Sequence, residues 1–573
     1  MRAQRPLIAL LLLAPLGACA TTGADPYVHE ASAYELAPMG SSYGLFLAGQ
    51  AAQKDGRSEE ASDYFMRASK GGAMDGGFLK DRAFTAALLA GEIGKAASLA
   101  PVQEGDRAAT YRLGLLVKAV EALANGQAKD ARWMLAPDTL GFPHRPAGAL
   151  LSPWAAAAAG DVEGSLVRPV VTGDKVVEYF GQLGQALLFE RAKRHDEAET
   201  DYKALVSNAD LGSLFVHDYG TFLERRGRRS EAVALYDAAL ASGSGDRELT
   251  TARARAASAA AAPALPTLRQ GAARAMMAPA ASMIGEKQAE LALAYLRLAL
   301  RLDPARDEAV VLIGDVMAAT GDPAAARDAY DKVPSTSHNY ADARAKMAWS
   351  YHLAGDKDAA LRLAQAALSA NPTDRDAAIT YADLLRANDR FGEAAQVLDR
   401  LILVEGDTPD WRLLYMRGVA LERAGRWPDA EKDLVRALAQ QPDEPELLNY
   451  LGYTWIDRGE RLDEALDMVR RASEANPNSG AMVDSLGWAH YRLGNYKTAV
   501  EKLELAVELE PADPEINNHL GDAYWRVGRR REARFQWERV LTLEPNAATK
   551  AAVETKLKSG LGVEPPPHRV AER

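Results

Sequence analysis

Three side chains near the end of the chain are of the types that form a hydrolytic triad. Asp484, Ser485 and His490 lie close together in sequence, and a serine nucleophile needs a histidine base that a carboxylate orients. Their offsets of one, five and six residues do not bring them to one face of a helix. A second run, His195-Asp196-Glu197, lacks the further histidine that a helical zinc site requires. These residues therefore predict no active site.

Cofactor and nucleic-acid chemistry are excluded on similar grounds. Cys19 is the sole cysteine, so an intramolecular disulfide, a zinc cluster of cysteines and a CxxC redox pair are all excluded. The sequence contains no Gly-x-x-x-x-Gly-Lys phosphate loop and no Gly-x-Gly-x-x-Gly turn. The net charge of −11 would repel a phosphate backbone. We predict no enzymatic activity, no cofactor, no metal and no nucleic-acid partner.

The first nineteen residues have the layout of a secretion signal. Arg2 and Arg5 precede an apolar run that begins at Leu7, and small residues follow at Gly17 and Ala18. The apolar run is about a dozen residues long, shorter than the roughly twenty that a membrane-spanning helix needs. The sequence therefore predicts export of the chain and no helix across the membrane at this point.

The tetrapeptide Leu16-Gly17-Ala18-Cys19 resembles the lipobox of bacterial lipoproteins. The resemblance implies cleavage between Ala18 and Cys19, loss of residues 1–18 as a signal peptide, and anchoring to the membrane through acyl chains on Cys19. Ala20 follows the cysteine, which in similar lipoproteins favours transport to the outer membrane. Residues 19–41 are expected to be a flexible tether that holds the body on the periplasmic face. The alternative is a chance cysteine in an ordinary secretion signal.

A small residue returns at a nearly constant interval along the C-terminal half. The interval is 34 to 36 residues in the series Ala326, Ala360, Ala394, Ala430, Ala465, Ala499 and Ala533. A turn series runs in phase with it: Gly321, Gly355, Asp389, Gly425, Gly459, Gly494 and Gly528. This period and these residue types resemble the tetratricopeptide repeat (TPR), a pair of packed helices. The resemblance implies an all-α fold, a right-handed TPR superhelix (α-solenoid) of about 12 helix-pair repeats.

The repeat pattern is weaker in the N-terminal half and breaks once. The step from Ala232 to Ala292 is 60 residues, and the excess contains an alanine- and arginine-rich tract with Pro263 and Pro266. This tract is either a helix that lengthens one repeat or an exposed linker. We predict a degenerate TPR array over 42–243, an Ala/Pro-rich connection over 244–272, a second TPR array over 273–545, a capping helix over 546–558 and a disordered tail over 559–573.

The first helix of each TPR pair lines the binding groove in proteins of this repeat class. The positions that would face the groove carry aromatic, amide and charged side chains: Arg412, Tyr415, Glu422, Glu446, Asn449, Tyr453, Asp484, Trp488, Tyr491, Asn518, Asp522 and Trp525. Amides can donate to and accept from a peptide backbone, and aromatic faces supply contact area. The acids favour a basic or neutral peptide or partner helix. The alternative is that the aromatic residues only pack between helices.

The stretch from Leu451-Gly452-Tyr453 to Trp537 resembles a set of proteobacterial TPR lipoproteins of the outer membrane. Among them are adaptors that deliver cell-wall hydrolases to a periplasmic carboxyl-terminal processing protease. The resemblance implies a non-enzymatic scaffold whose partners are a protease and its substrates. Two alternatives stay open: an assembly factor or pilotin for a secretion, pilus or outer-membrane-protein machine, and an enzyme within 137–178 or 241–285.

Overall fold

The computed structural model describes residues 41–71, 75–103, 108–241, 247–258, 260–406 and 409–562. The predicted signal peptide, the acylation site at Cys19, all but the last residue of the predicted tether, and residues 563–573 of the predicted tail lie outside these ranges. Every regular element within them is a helix, as the sequence predicted. None of these helices has the length and apolar character needed to cross a membrane.

Thirty-one α-helices follow one another along the described ranges, with one short 3-10 helix at Gly212–Phe215. In chain order the α-helices are α1 (Ser42–Lys54), α2 (Ser58–Ser69), α3 (Gly76–Ala90), α4 (Ile93–Leu99), α5 (Ala108–Ala124), α6 (Ala128–Met134), α7 (Pro137–Leu140), α8 (Arg145–Ala158), α9 (Val162–Ser165), α10 (Lys175–Arg191), α11 (His195–Val206), α12 (Val216–Arg225), α13 (Arg229–Ala241), α14 (Arg247–Ala257), α15 (Leu268–Gly285), α16 (Ala289–Leu302), α17 (Asp307–Ala319), α18 (Pro323–Asp331), α19 (Tyr340–Leu353), α20 (Lys357–Ala370), α21 (Arg375–Ala387), α22 (Phe391–Glu405), α23 (Trp411–Arg423), α24 (Trp427–Gln440), α25 (Pro445–Arg458), α26 (Leu462–Ala475), α27 (Gly480–Arg492), α28 (Tyr496–Leu509), α29 (Pro514–Arg526), α30 (Arg530–Thr542) and α31 (Ala547–Ser559).

The two series read from the sequence have distinct structural roles. All seven alanines of the series from Ala326 to Ala533 are fully buried. All seven members of the turn series have a positive φ, between 57° and 85°, at the turn between the two helices of a pair. The left-handed conformation favours glycine because a Cβ atom crowds the backbone there, and Asp389 is the one residue of the series that bears this cost.

The two helices of a pair approach closely where the first helix carries a glycine. A Cβ atom on that glycine would come within 2.3–2.8 Å of a large side chain sixteen residues later on the second helix. The pairs are Gly220 with Tyr236, Gly314 with Tyr330, Gly418 with Leu434, Gly487 with Leu503, and Gly521 with Trp537. A missing side chain on one helix thus makes room for a bulky one on the other, which gives the dense packing of a protein interior.

The described residues up to Ser350 form one compact unit, and those from Tyr351 onward form another. In the first unit, α16 packs against α3 and α5, which lie far earlier in the chain. Arg301 of α16 donates two hydrogen bonds to the Glu121 carboxylate (2.7 and 3.0 Å), and Arg297 donates to the carbonyl of Leu89 (3.1 Å). We call these contacts of α16 with α3 and α5 the seam.

The division between the compact units lies at a different place from the predicted boundary between the two arrays. The sequence analysis placed the division between two arrays at 244–272, whereas the compact units divide between Ser350 and Tyr351. The helices α15 and α16 carry the regular repeat pattern, but their side chains belong to the core of the first unit. Tyr295 of α16, for example, is buried there and hydrogen-bonds His144 at 2.8 Å. The packing of α15 and α16 against helices far earlier in the chain therefore places them in the first unit.

The alanine- and arginine-rich tract combines the two alternatives that the sequence left open. Its first part is the helix α14, whose Ala252 and Ala256 are buried. Arg255 of α14 donates two hydrogen bonds to the buried Glu224 carboxylate (2.7 and 3.1 Å). Residues 260–267 are not helical, and Pro263 and Pro266 lie there. Proline lacks a backbone N–H donor, which disfavours a helix through residues 263–266.

Candidate peptide-binding face

The predicted groove residues lie on α23, α25, α27 and α29, the first helices of four successive pairs in the second unit. Local signals start three of these helices. The carboxylate of Asp410 accepts from the backbone N–H of Arg412 (3.2 Å) at the start of α23, and Ser479 caps α27. Asp513 accepts from two backbone N–H groups of α29 (2.7 and 3.0 Å). Such caps satisfy donors that lack a partner within the helix. We call the twelve predicted groove residues the groove face.

A tyrosine pair joins α23 to α25 at the groove face. The rings of Tyr415 and Tyr450 pack edge to face, with centroids 5.7 Å apart. The Tyr450 hydroxyl donates to the Glu422 carboxylate (3.0 Å). Burial, together with the Glu446 carboxylate, raises the pKa of Tyr415 to about 12, so its hydroxyl keeps its proton at neutral pH. Tyr450 was missed in the sequence analysis, although it lies directly beside the predicted Asn449.

A hydrogen bond joins α25 to α29, the first helix of the second pair after it. The Tyr453 hydroxyl donates to the Glu515 carboxylate at 2.8 Å. Burial raises the pKa of Tyr453, and the Glu515 carboxylate raises it further. Glu515 was not among the predicted residues. It lies in the first turn of α29, where the helix dipole favours an acid, so a capping role was the natural interpretation from sequence.

A buried ion pair and an aromatic stack join α27 to α29. The imidazole Nδ1 of His519 lies 2.9 and 3.0 Å from the two carboxylate oxygens of Asp484, and both residues are buried. Burial alone would lower the pKa of His519, but the Asp484 carboxylate more than offsets this and raises it. The Trp488 ring lies nearly parallel to the rings of His519 (centroids 4.0 Å apart) and Tyr491 (4.6 Å). His519 was not among the predicted residues. It lies one repeat after Ser485, so it holds the same position in its repeat as Ser485 does.

The last three predicted residues are covered by α31. The Lys556 ammonium donates to Asn518 (2.8 Å) and to both oxygens of the Asp522 carboxylate (2.7 and 2.8 Å). The Trp525 ring packs against Gly560 at the end of the same helix. These three residues were predicted to line a groove that receives a partner. In the structure they contact the chain's own helix α31, which supplies both the cation and the apolar contact.

The accessible part of the groove face lies on α23 and α25. Arg412 and Glu446 are exposed, and the Arg412 guanidinium lies over the Trp411 ring (4.6 Å to the centroid). Two polar atoms nearby are buried without a hydrogen-bond partner among the described residues: the amide oxygen of Asn449 and the indole nitrogen of Trp488. Buried polar atoms are normally paired, so these two lack the hydrogen-bond partner that such atoms usually have.

The residues first considered for catalysis do not assemble. Asp484 pairs with His519 instead of His490, and the Ser485 hydroxyl donates to the Ala481 carbonyl (3.0 Å) within its own helix. His490 lines a separate cavity of about 610 Å³ with Leu466 and Leu505. Over the ranges the structure describes, no cluster of three or more histidine, cysteine or acidic side chains could hold a metal ion.

Models of the tetratricopeptide repeat match five stretches of the chain. Those described as tetratricopeptide repeat match residues 183–247, 283–349, 351–416 and 415–480, and one described as TPR repeat matches 487–528. A TPR repeat-containing protein of Pseudomonas aeruginosa is 35% identical over 130 residues. That match covers 23% of this chain and 22% of the relative, so the chain matches about a fifth of the relative's length.

Several solved structures are similar to the chain at low sequence identity. A tetratricopeptide repeat protein from Parabacteroides merdae is 15% identical with a TM-score of 0.37, covering 44% of this chain and 97% of its own. The Cut9–Hcn1 hetero-tetramer of APC/C is 14% identical with a TM-score of 0.38, covering 91% and 97%. Arrays of this repeat present extended surfaces to protein partners. With its helix pairs in the repeat register and its family matches, the chain belongs to the tetratricopeptide repeat proteins, and its described residues have the all-helical fold of that repeat.

Proposed function

We propose that the chain is a non-enzymatic scaffold that binds a peptide or helix of a protein partner at the accessible part of the groove face. The observation that carries the proposal is the set of side chains on α23 and α25. An exposed cation (Arg412) lies on α23, and α25 carries an exposed acid (Glu446) and a buried, unpartnered amide oxygen (Asn449). A peptide backbone N–H can donate to that oxygen, and the charges can orient the peptide.

The site of action that we propose is the periplasmic face of the outer membrane. The lipobox-like tetrapeptide ending at Cys19 supports a lipid anchor, and Ala20 supports sorting to the outer membrane. Two or more acyl chains give stable attachment, whereas one is marginal. We expect Cys19→Ala to move the protein from the membrane fraction to the soluble periplasmic fraction. Retention of this variant in outer-membrane vesicles would contradict the anchor.

The partners that we propose are a carboxyl-terminal processing protease and the cell-wall hydrolases that it degrades. The resemblance to adaptor lipoproteins supports this choice. An adaptor of this kind acts by raising the effective concentration of one bound protein near another, and a membrane anchor adds to the effect. Loss of the chain should then slow turnover of the hydrolases. Unchanged hydrolase levels in a deletion strain would rule out the adaptor role.

The decisive experiment is affinity capture from an envelope extract with Glu446→Lys and its matched control Glu501→Lys. Both substitutions reverse one exposed charge, but Glu501 lies on α28, a second helix. We expect the protease and hydrolases to be captured by the unmodified chain and the control, and at least tenfold less by Glu446→Lys. Equal capture by all three would exclude the groove face. Capture of pilus, secretion or barrel-assembly subunits instead would identify an assembly factor.

A further inference from the structure

The capping helix α31 occupies the end of the groove face as a ligand would. One ammonium group, that of Lys556, satisfies Asn518 and both oxygens of Asp522. Asp522 is 6% exposed and also accepts from the indole nitrogen of Trp537 (3.0 Å). A buried carboxylate needs such a cation because burial without a partner is costly. We call Asn518, Asp522, Trp525 and Trp537 the cap site.

The apolar side of α31 completes the contact. Val553 is fully buried, and Leu557 packs on the same cluster as Trp525 and Trp537. These residues lie three positions before and one position after Lys556, so one helical face carries the pattern aliphatic-x-x-Lys-aliphatic. The cap site therefore binds the lysine through the charge of Asp522. It binds the aliphatic residues beside the lysine through the indole rings of Trp525 and Trp537.

A buried carboxylate paired with a cation from a later helix also occurs one repeat earlier, but there the cation is more deeply buried. Asp484, which is one repeat before Asn518, receives the imidazole of His519 from α29, the first helix of the next pair. That helix has eight buried residues, whereas Val553 is the one buried residue of α31. The side chain of Lys556 is 17% exposed, compared with 7% for His519. Lys556, the cation at the cap site, thus belongs to a helix that buries far fewer residues than α29, the helix of His519.

We infer that α31 is a displaceable occupant, and that the cap site binds an amphipathic helix of a protein partner with the pattern aliphatic-x-x-Lys-aliphatic. This inference rests on the proposed function, because it extends partner binding from α23 and α25 to α29. A partner helix that makes the same lysine and aliphatic contacts replaces α31 without leaving Asp522 unpaired. Partners without a lysine at this position are rejected, because they would leave the buried Asp522 carboxylate without a cation.

The test uses the full chain and a fluorescein-labelled synthetic peptide of residues 546–562. We expect the peptide to bind the Lys556→Glu chain at least tenfold more tightly than the unmodified chain in a fluorescence anisotropy titration, because the substitution releases α31. The matched control is Lys558→Glu, which makes the same charge change at an exposed lysine two residues away. That chain should bind the peptide as weakly as the unmodified one. A peptide carrying Lys556→Glu should bind none of the three.

Hydrogen exchange on the unmodified chain gives a second readout that needs no variant. Amides of α31 should exchange at least a hundredfold faster than those of α29, and the labelled peptide should leave α29 protected. Equal protection of α31 and α29, equal peptide affinity for all chains, or a dimer formed by exchange of α31 between two copies would each overturn the inference. Because the probe is a defined peptide, these outcomes do not depend on whether the envelope capture succeeds.

Discussion

The indole of Trp537 occupies the space that Gly521 leaves beside the backbone of α29. A Cβ atom on Gly521 would lie 2.5 Å from the indole nitrogen and 2.6 Å from the adjacent ring carbon. The same nitrogen donates to Asp522, the neighbour of Gly521, so the ring is fixed by a hydrogen bond as well as by packing. Trp537 therefore cannot move aside without losing this hydrogen bond. The packing of α29 against α30 and the position of Asp522 in the cap site thus depend on the same side chain.

Substitution of Gly521 by alanine should destabilise the second unit by about 1–3 kcal/mol, the usual cost of overpacking a core. The matched control is Gly392→Ala in α22, where the added Cβ would meet no atom within 4 Å. That substitution should be neutral or stabilising by up to about 1 kcal/mol, because alanine favours a helix. Denaturant unfolding monitored by tryptophan fluorescence measures both. Equal stability of the two variants would contradict the close approach of α29 and α30.

Acidification should destabilise the first unit through His144. Burial, with a smaller effect from Arg112, lowers the pKa of His144 to about 4, below its value of about 6.5 in the unfolded chain. The unfolded chain then binds more protons, so the stability present above pH 6.5 declines as the pH falls towards 4, by about 3 kcal/mol in all. His144→Gln should remove this dependence. Thermal unfolding between pH 4 and 7.5 tests it, and parallel curves for both chains would refute it.

The ion pair of His519 with Asp484 should give the second unit the opposite pH dependence. The pKa of His519 is raised above its unfolded value, so its contribution is complete below about pH 6.5 and is lost as the pH rises through the folded pKa. Asp484→Asn should lower the pKa of His519 and cost about 2 kcal/mol. An NMR titration of the imidazole gives the pKa directly. A His519 pKa unchanged by Asp484→Asn would show that the carboxylate has no such role.

Loss of the Arg301 guanidinium should loosen the seam of the first unit. Arg301 lowers the pKa of Glu121 through its hydrogen bonds, and both side chains are partly exposed. We therefore expect Arg301→Ala to cost about 1 kcal/mol, with faster hydrogen exchange in α3 and α5. Lys129→Ala, at an exposed position of α6, is the control. Unchanged exchange in α3 and α5 would show that apolar packing alone closes the seam.

The predicted groove shows where sequence reasoning stops. The pattern placed the predicted residues on the first helix of each pair, because residues on that helix repeat with the period. It did not distinguish Asp484, which is buried in an ion pair, from Glu446, which is exposed. That difference depends on the residue one repeat later: His519 faces Asp484 and is absent from the motif. Nor did it reveal that Lys556 would cover Asp522, since α31 lies outside the repeats.

The sequence by itself determined the repeat, its turns and its buried small residues. Each of these is a local steric requirement: a left-handed turn favours glycine, and helices approach closely only at alanine or glycine. Only the tertiary structure decided that α16 returns to pack on α3 and α5, so that these helices share one compact unit. It also decided which groove residues stay accessible. Both depend on contacts between particular side chains of different helices, such as Arg301 with Glu121 and Lys556 with Asp522, which the repeat pattern does not specify.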